Sequence, residues 1–364
     1  MAERAGVRIT GVHALSALGR GADAQLAGVL AGTPAFRPVG RFDTAARRVG
    51  VAATLPEVGA LPDELAEAVL AACAAARLGP GERAVAPLLL AAHGGAQVPA
   101  LAGELAGRCG LAGAPRVYTS ACVSASTAVA DAAALIGRGD VDRVVVAAGY
   151  LVEPDQYALF DAGRALSTDG AVRPFSAGRR GLLLGDGVAA VVLESAASAR
   201  GRGAPVLAEV LGWGRAGDGH HPCRPDPAGR GLARAVDAAL RRAGLRPEEI
   251  GYVNANATGT GYSDAAEAAA LRLAWGEHAA RVPVSSTKAL HGHALEASGL
   301  LELVVTVLAA GHGKLPVNAG WLGPDEACPL DVVLDAPRPA ATPYALSLNS
   351  AFGGANTALL VGAA

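Results

Sequence analysis

Val117–Ser126 reads VYTSACVSAS. The β-prone run VYT leads into one cysteine, and Ser124–Gly137 behind it carries a helical pattern of small apolar residues. Cys122 therefore stands at a strand-to-helix junction, the connection on which an α/β chain is built. A thiol there faces backbone N–H groups that no helical carbonyl satisfies, and the positive end of the helix dipole. Both favour thiolate. This is a way to make a cysteine nucleophilic without a metal. A small apolar cysteine packed under a helix has the same local sequence, so other motifs must decide.

Composition narrows the classes. The chain has 364 residues, 51% hydrophobic and 18% charged, with 48 Gly and few aromatics. Ala, Val and Leu supply the apolar mass, as suits helices packed closely on sheets. At this length two intimately packed halves are expected. A net charge of −2 with no basic block argues against nucleic acid as a partner. The longest apolar run, Leu300–Ala310, is broken by Glu302 and too short for a bilayer. MAERAGVRIT lacks a signal-peptide core, so a cytoplasmic protein is expected. Cys73, Cys109, Cys122, Cys223 and Cys328 are scattered without a CxxC pair, arguing against disulfides and zinc; no metal or cofactor is expected. His220, His221 and Cys223 do not change that, since adjacent histidines in one turn seldom reach one ion.

Strands alternate with helices along the whole chain. Strands are expected at Val7–Thr10, Val85–Ala92, Val144–Ala148 and Val188–Leu193, and helices at Pro62–Arg77, Pro99–Cys109 and Ser124–Gly137. A second succession has strands at Val206–Leu211, Tyr252–Ala255, Val282–Ser285, Tyr344–Leu348 and Thr357–Val361. Its helices fall at Gly231–Ala243, closed by Gly244 and Pro247, then at Ser263–Trp275 and Ala294–Ala310. The halves are set at residues 1–204 and 205–364, with Ser195–Pro205 as the seam.

Four turns follow strands, where α/β proteins place reactive groups. One holds Cys122. The others are VNANATGT (Val253–Thr260), STKALHGHALEASG (Ser286–Gly299) and NSAFGGAN (Asn349–Asn356). With RITGVHALSALG (Arg8–Gly19), RALSTDGAVRPFSAGRRGLLLGDG (Arg164–Gly187) and GLRPEEIGYVNA (Gly244–Ala255), they resemble, in order, the β-ketoacyl-ACP synthases (ketosynthases) of the thiolase superfamily. The resemblance covers nearly the whole chain. It implies a thiolase-like α/β fold of two similar halves in five αβαβα layers. Cys122 matches the nucleophile that takes an acyl group from a carrier-protein thioester, and His293 the histidine of the K…GH motif. Placed before a helix start, His293 is expected to stay neutral. Lys288 and Glu302 match a buried pair that positions its neighbours. Phe352 and Gly353 match a glycine-rich gate whose backbone N–H joins that of Cys122 as an oxyanion hole; the gate is one or two residues short. Thr258 and Thr260 match hydroxyls on the phosphopantetheine arm, with His221 and Phe160 beside the pocket.

Two departures stand out. Where the family reads HGTGT this chain reads NATGT, with Asn256 in place of histidine, and the region Ala92–Cys109 is short. An asparagine amide donates a hydrogen bond but does not exchange protons near neutrality. Acyl transfer onto Cys122 is therefore expected to persist while malonyl decarboxylation is impaired, as in the non-elongating ketosynthases this chain resembles. His291 is considered as a source of the lost imidazole. The alternatives are decarboxylative Claisen condensation on a Cys–Asn–His site, and a silent partner resembling chain-length factors. The resemblance implies an acyl carrier protein as partner, docked by Arg179 and Arg180, and a homodimer or a heterodimer with a related subunit.

Overall fold

The computed structural model describes residues 6–364; residues 1–5, within the segment read above for a signal peptide, lie outside the described residues. Strands Arg143–Tyr150 (RVVVAAGY) and Gly187–Ser195 (GVAAVVLES) are almost wholly buried. Continuous Val/Ala runs of this kind need cover on both faces. Helices Leu61–Ala75 and Val98–Cys109 supply one cover, and the central helices Ser124–Gly137 and Ser298–His312 the other.

The second half repeats the scheme. From the outer edge inward, the first half runs Ala112–Tyr118, Pro87–Ala92, Arg143–Tyr150, Gly187–Ser195 and Val7–Ser16. The second runs Pro283–Ser285, Tyr252–Asn254, Tyr344–Ser350, Ala355–Ala363 and Ala208–Gly217, with Asp331–Val332 added outside. Parallel and antiparallel pairings correspond strand for strand. Val7–Ile9 pairs with Ala208–Val210 and joins the two sheets. Helices Arg230–Ala243 and Gly261–Trp275 cover the far face of the second sheet. The result is helices, sheet, helices, sheet, helices: five layers. Each fully buried Leu or Val in them contributes about 1.5–3 kcal/mol.

The central layer is close-packed. A Cβ at Gly299 would come within 2.9 Å of Asn349 Oδ1 and Ser126 Oγ, so only glycine fits. Gly244 closes its helix in the left-handed conformation (φ 73°), as its position after Ala243 implies. The last central helix begins at Ser298, four residues later than its apolar pattern suggests. A short 3-10 turn, Leu295–Ala297, precedes it, because Leu295 takes φ 44° and interrupts the α-helix. The Leu295–His312 segment is apolar enough to cross a membrane, but 83% of it is buried inside the fold, as a core helix would be.

Candidate active site

Cys122 lies in the 3-10 turn Ala121–Val123, between strand Ala112–Tyr118 and helix Ser124–Gly137. Ala121 opens the turn with φ 52°, a strained value for a residue with a Cβ and one common where function fixes the backbone. Ser124 Oγ donates to the Ala121 carbonyl at 2.6 Å and helps hold it there. The turn aims Sγ at His293 Nε2, 3.2 Å away.

His293 is held by its backbone. Its N–H donates to Leu183 O at 2.8 Å, and its carbonyl accepts from Gly185 N–H at 3.0 Å. A Cβ at Gly185 would lie 1.9 Å from His291 O, so this approach requires glycine. The ring is fixed by Ser298: Nδ1 and Ser298 Oγ are 2.8 Å apart, and Ser298 Oγ also accepts from Ala294 N–H at 2.9 Å. With the proton on Nδ1 and donated to Ser298, the Nε2 lone pair faces the thiol.

Burial pushes the Cys122 thiol up to about 12; the Glu296 carboxylate adds to this and the Lys288 ammonium opposes it. His293 is driven well below 6.5 by burial, then by Lys288 and His291. The resting pair is therefore S–H and neutral imidazole. Desolvation thus opposes the thiolate that the short helix start favours, and burial with the nearby Lys288 favours a neutral His293.

Lys288 Nζ sits 2.6 Å from Glu302 Oε1, both buried, and 3.4 Å from Asn256 Oδ1. Asn349 Nδ2 donates to Glu302 Oε2 at 2.7 Å. Asn256 N–H donates to Glu267 Oε1 at 2.8 Å, and burial pushes that carboxyl up to about 8. With its oxygen turned to Lys288, Asn256 presents the amide NH2 as its remaining polar group.

Cys122, His293 and Asn256 line one cavity of about 490 Å³, with Thr258 and Thr260 on its wall, their hydroxyls 3.1 Å apart. Phe160 and Phe352 flank the mouth with ring centroids 6.2 Å apart. Gly353 does not serve as an oxyanion donor: its N–H is committed to Pro222 O at 2.7 Å, and that of Gly354 to Ala351 O at 3.1 Å. This leaves the Phe352 N–H, with that of Cys122, as the candidate pair.

His221 does not join the site, and Arg179 lines the cavity with its guanidinium already engaged. His221 is exposed and turned away; its Nδ1 accepts from Cys223 N–H at 3.0 Å, while Cys223, Arg224 and Pro225 take the lining positions. Arg179 is buried, donating to Asp325 Oδ2 at 2.9 Å and Cys328 Sγ at 3.2 Å, so its guanidinium is not available for docking. Arg180 is exposed at the mouth, 3.5 Å from Asp169. His291 supplies no spare imidazole. Its ring nitrogens engage Gly292 O and Thr287 Oγ1, outside the cavity lining, and burial with Lys288 holds it at about 3.

Sequence reasoning missed Ser298, Glu267, Asn349 and Glu296. Ser298 and Glu296 stand within the quoted STKALHGHALEASG, and Asn349 opens NSAFGGAN. The signal for Glu267 was a carboxylate on an Ala-rich helix face three residues after Asp264.

The two-sheet, five-layer architecture and the cysteine–histidine cavity define a thiolase-like protein. The comparisons narrow it. The model for "Beta-ketoacyl synthase, N-terminal domain" matches residues 82–199, and that for "Beta-ketoacyl synthase, C-terminal domain" matches residues 207–321. A 3-oxoacyl-[acyl-carrier-protein] synthase 2 of Coxiella burnetii is 35% identical over 287 residues, 77% of this chain and 69% of that protein. Another, of Staphylococcus aureus, is 36% identical over 248 residues, 66% of this chain and 61% of its own. The solved structure titled "The ishigamide ketosynthase/chain length factor" superposes with a TM-score of 0.90 at 28% identity, covering 100% of both chains. The chain belongs to the β-ketoacyl synthase family.

Proposed function

We propose that this protein is a ketosynthase-like acyltransferase. It takes an acyl group from a carrier-protein thioester onto Cys122 and passes it to an acceptor, with malonyl decarboxylation impaired. The observation that carries the reading is the 3.2 Å approach of Cys122 Sγ to His293 Nε2 inside a cavity that Asn256 also lines.

The thiol gives its proton to His293 Nε2 as sulfur attacks the thioester carbonyl. Proton transfer in step with attack is what a thiol near 12 beside a neutral imidazole requires. The N–H groups of Cys122 and Phe352 receive the developing oxyanion; one such donor is worth about 10²–10³ in rate. The intermediate collapses, the phosphopantetheine thiolate leaves, and His293 returns the proton to it. Lys288 and Glu302 hold the Asn256 carboxamide and the local field without exchanging protons with the substrate. Thr258 and Thr260 hydroxyls suit the amides of the pantetheine arm.

Decarboxylation makes a different demand. An enolate must be stabilised as carbon dioxide leaves, and a proton-exchanging group opposite His293 serves that need. Asn256 offers only a hydrogen bond. An acidic carrier protein is the partner proposed for Arg180 at the cavity mouth. The neighbour's title names a ketosynthase/chain length factor pair. Strand Ala112–Tyr118 ends the sheet with an unpaired edge among the described residues, so a second copy or a related subunit is proposed to pair there.

Acyl- and malonyl-carrier proteins offered separately test the reading, with intact mass for Cys122 and carbon dioxide as readouts. The expected result is acyl mass on wild type, none on Cys122→Ala, and carbon dioxide release restored by Asn256→His. Release by the wild type at the rate of an ordinary synthase would replace transfer by Claisen condensation. No mass gain would leave a silent partner.

A further inference from the structure

The catalytic cavity stops at the sulfur. Among residues 6–159, Cys122 alone lines it, so strands Pro87–Ala92 and Arg143–Tyr150 take no part in its wall. A second cavity, of about 460 Å³, opens at the ends of those two strands, where His93, Gly149, Tyr150 and Leu151 line it. The two cavities share no lining residue. The 3-10 turn Leu295–Ala297 stands between them. It packs against the Cys122 turn, Ala121–Val123, and also against both strands whose ends open into the second cavity.

Glu296 is the large side chain of that partition. It takes, in its turn, the position that Cys122 takes in Ala121–Val123. It is buried and lines neither cavity. Its Oε1 lies 2.9 Å from Nδ1 of His93, and His93 does line the second cavity. On the other side its carboxylate raises the Cys122 thiol, second only to burial and ahead of the opposing Lys288, so it lies near the sulfur. An acyl chain leaving Cys122 in this direction meets a buried carboxylate held by an imidazole. Interiors are close-packed, and methylenes take such a place only by stripping the carboxylate of its partner.

We infer that Glu296, braced by His93, is the wall that limits the length of acyl chain Cys122 carries, and that removing it joins the two cavities. The inference rests on the acyltransferase reading and names its substrate class: short acyl groups such as acetyl and butyryl. A chain of octanoyl length has no room behind the sulfur until the partition is gone, and the second cavity is the space it then enters. Each misfit methylene in such a pocket lowers the rate about tenfold or more.

The test offers acetyl-, butyryl- and octanoyl-carrier protein to the full chain and reads acyl mass on Cys122 with time. The quantity compared is the octanoyl-to-acetyl rate ratio within each protein, which cancels any change in the thiol itself. Wild type should load octanoyl about 10²-fold more slowly than acetyl. Glu296→Ala should raise the ratio at least about tenfold, whereas Glu296→Gln, equal in size, should keep the wild-type limit. His93→Ala, at a partly exposed residue, frees Glu296 to move and should raise the ratio in the same direction; it serves where Glu296→Ala does not fold. A second arm treats the Cys223→Ser protein with methyl, butyl and octyl methanethiosulfonate. The Cys122 sulfur forms a disulfide with the alkylthio group and methanesulfinate leaves, so chain length is read without a carrier protein. Similar wild-type rates for octyl and methyl reagents or thioesters would overturn the inference. So would a ratio unmoved by Glu296→Ala and His93→Ala, or one raised as much by Gln as by Ala. Failure of every thioester to load, with the alkylthio series still falling with length, would sink the acyltransferase reading and leave the wall standing.

Discussion

Replacing Lys288 by Met should cost about 3 kcal/mol at neutral pH, and much less in mild acid. The ammonium lies 2.6 Å from Glu302 Oε1, and both side chains are shielded from water. Without it, Glu302 keeps only the Asn349 amide at 2.7 Å. A lone buried carboxylate is expensive, but the cost is capped because Glu302 can take up a proton. From an ordinary value of 4.5, staying protonated at pH 7 spans 2.5 pH units, or about 3.4 kcal/mol. At pH 5.5 one unit remains, about 1.4 kcal/mol. The sign follows from linkage. In the variant the folded-state value of Glu302 is raised above its unfolded value, so the contribution is intact below 4.5 and lost as pH climbs. Urea unfolding of wild type and variant at pH 7 and 5.5 reads the difference, and other buried carboxylates cancel between the two proteins. Lys288→Met with Glu302→Gln removes both charges and should recover stability to within about 1 kcal/mol, without the pH slope. Acylation of Cys122 should stay impaired in the pair, since Asn256 has lost the donor to its oxygen. A destabilisation equal at both pH values, or a double variant as weak as the single, would refute a paired, buried Lys288–Glu302.

Alkylation of Cys122 by iodoacetamide, followed by mass in a Cys223→Ser background, should rise with pH through 9 without levelling, because burial puts the thiol at about 12; a plateau below pH 8 would mean a standing thiolate. Glu267 is raised to about 8, so its contribution is full below its unfolded value of 4.5 and fades as pH rises through 8. Glu267→Gln should therefore gain melting temperature relative to wild type between pH 5 and 8, and an unchanged offset would count against a buried, protonating Glu267. Gly185→Ala forces a methyl to 1.9 Å from His291 O and should lower acylation about 10²-fold by moving His293, measured by intact mass on folded protein; near-normal loading would show that the loop does not position the imidazole.

Much of the fold lay in local patterns. Runs such as VVVAA and GVAAVVLES announce strands buried on both faces, and Gly244 announces a helix end. Cys122, Lys288 and His293 stood in turns whose letters are dense in small and polar residues, Glu302 stood in the apolar helix that follows, and the structure brings all four together. What stayed hidden was set by distant contacts. Arg179 and Arg180 are adjacent letters, yet one is buried against Asp325 and Cys328 and the other reaches solvent. Nothing within a few residues of either distinguishes them. The late start of the last central helix has the same origin, since LEASG is compatible with α-helix and only packing against the Cys122 turn holds Leu295 left-handed. Gly353 was misjudged because its N–H acceptor, Pro222, comes from a loop 131 positions earlier.

The internal duplication explains how a sulfur and an imidazole 171 residues apart meet at hydrogen-bond distance. Each central helix starts with serine (Ser124, Ser298) after a 3-10 turn opened by a left-handed residue (Ala121, Leu295). Because the two helices pack side by side, their turns pack end to end, and whatever stands in one is presented to the other. Strain at both openings, about 1–3 kcal/mol each, is sustained by the layers around them. Chemistry enters where the repeats diverge. One turn carries Cys122 and the other Glu296, so the same geometry that presents a thiol on one side presents a carboxylate on the other. Exchanging the two side chains would not yield an equivalent enzyme, because His293 and the Lys288–Glu302 pair reinforce only the cysteine side.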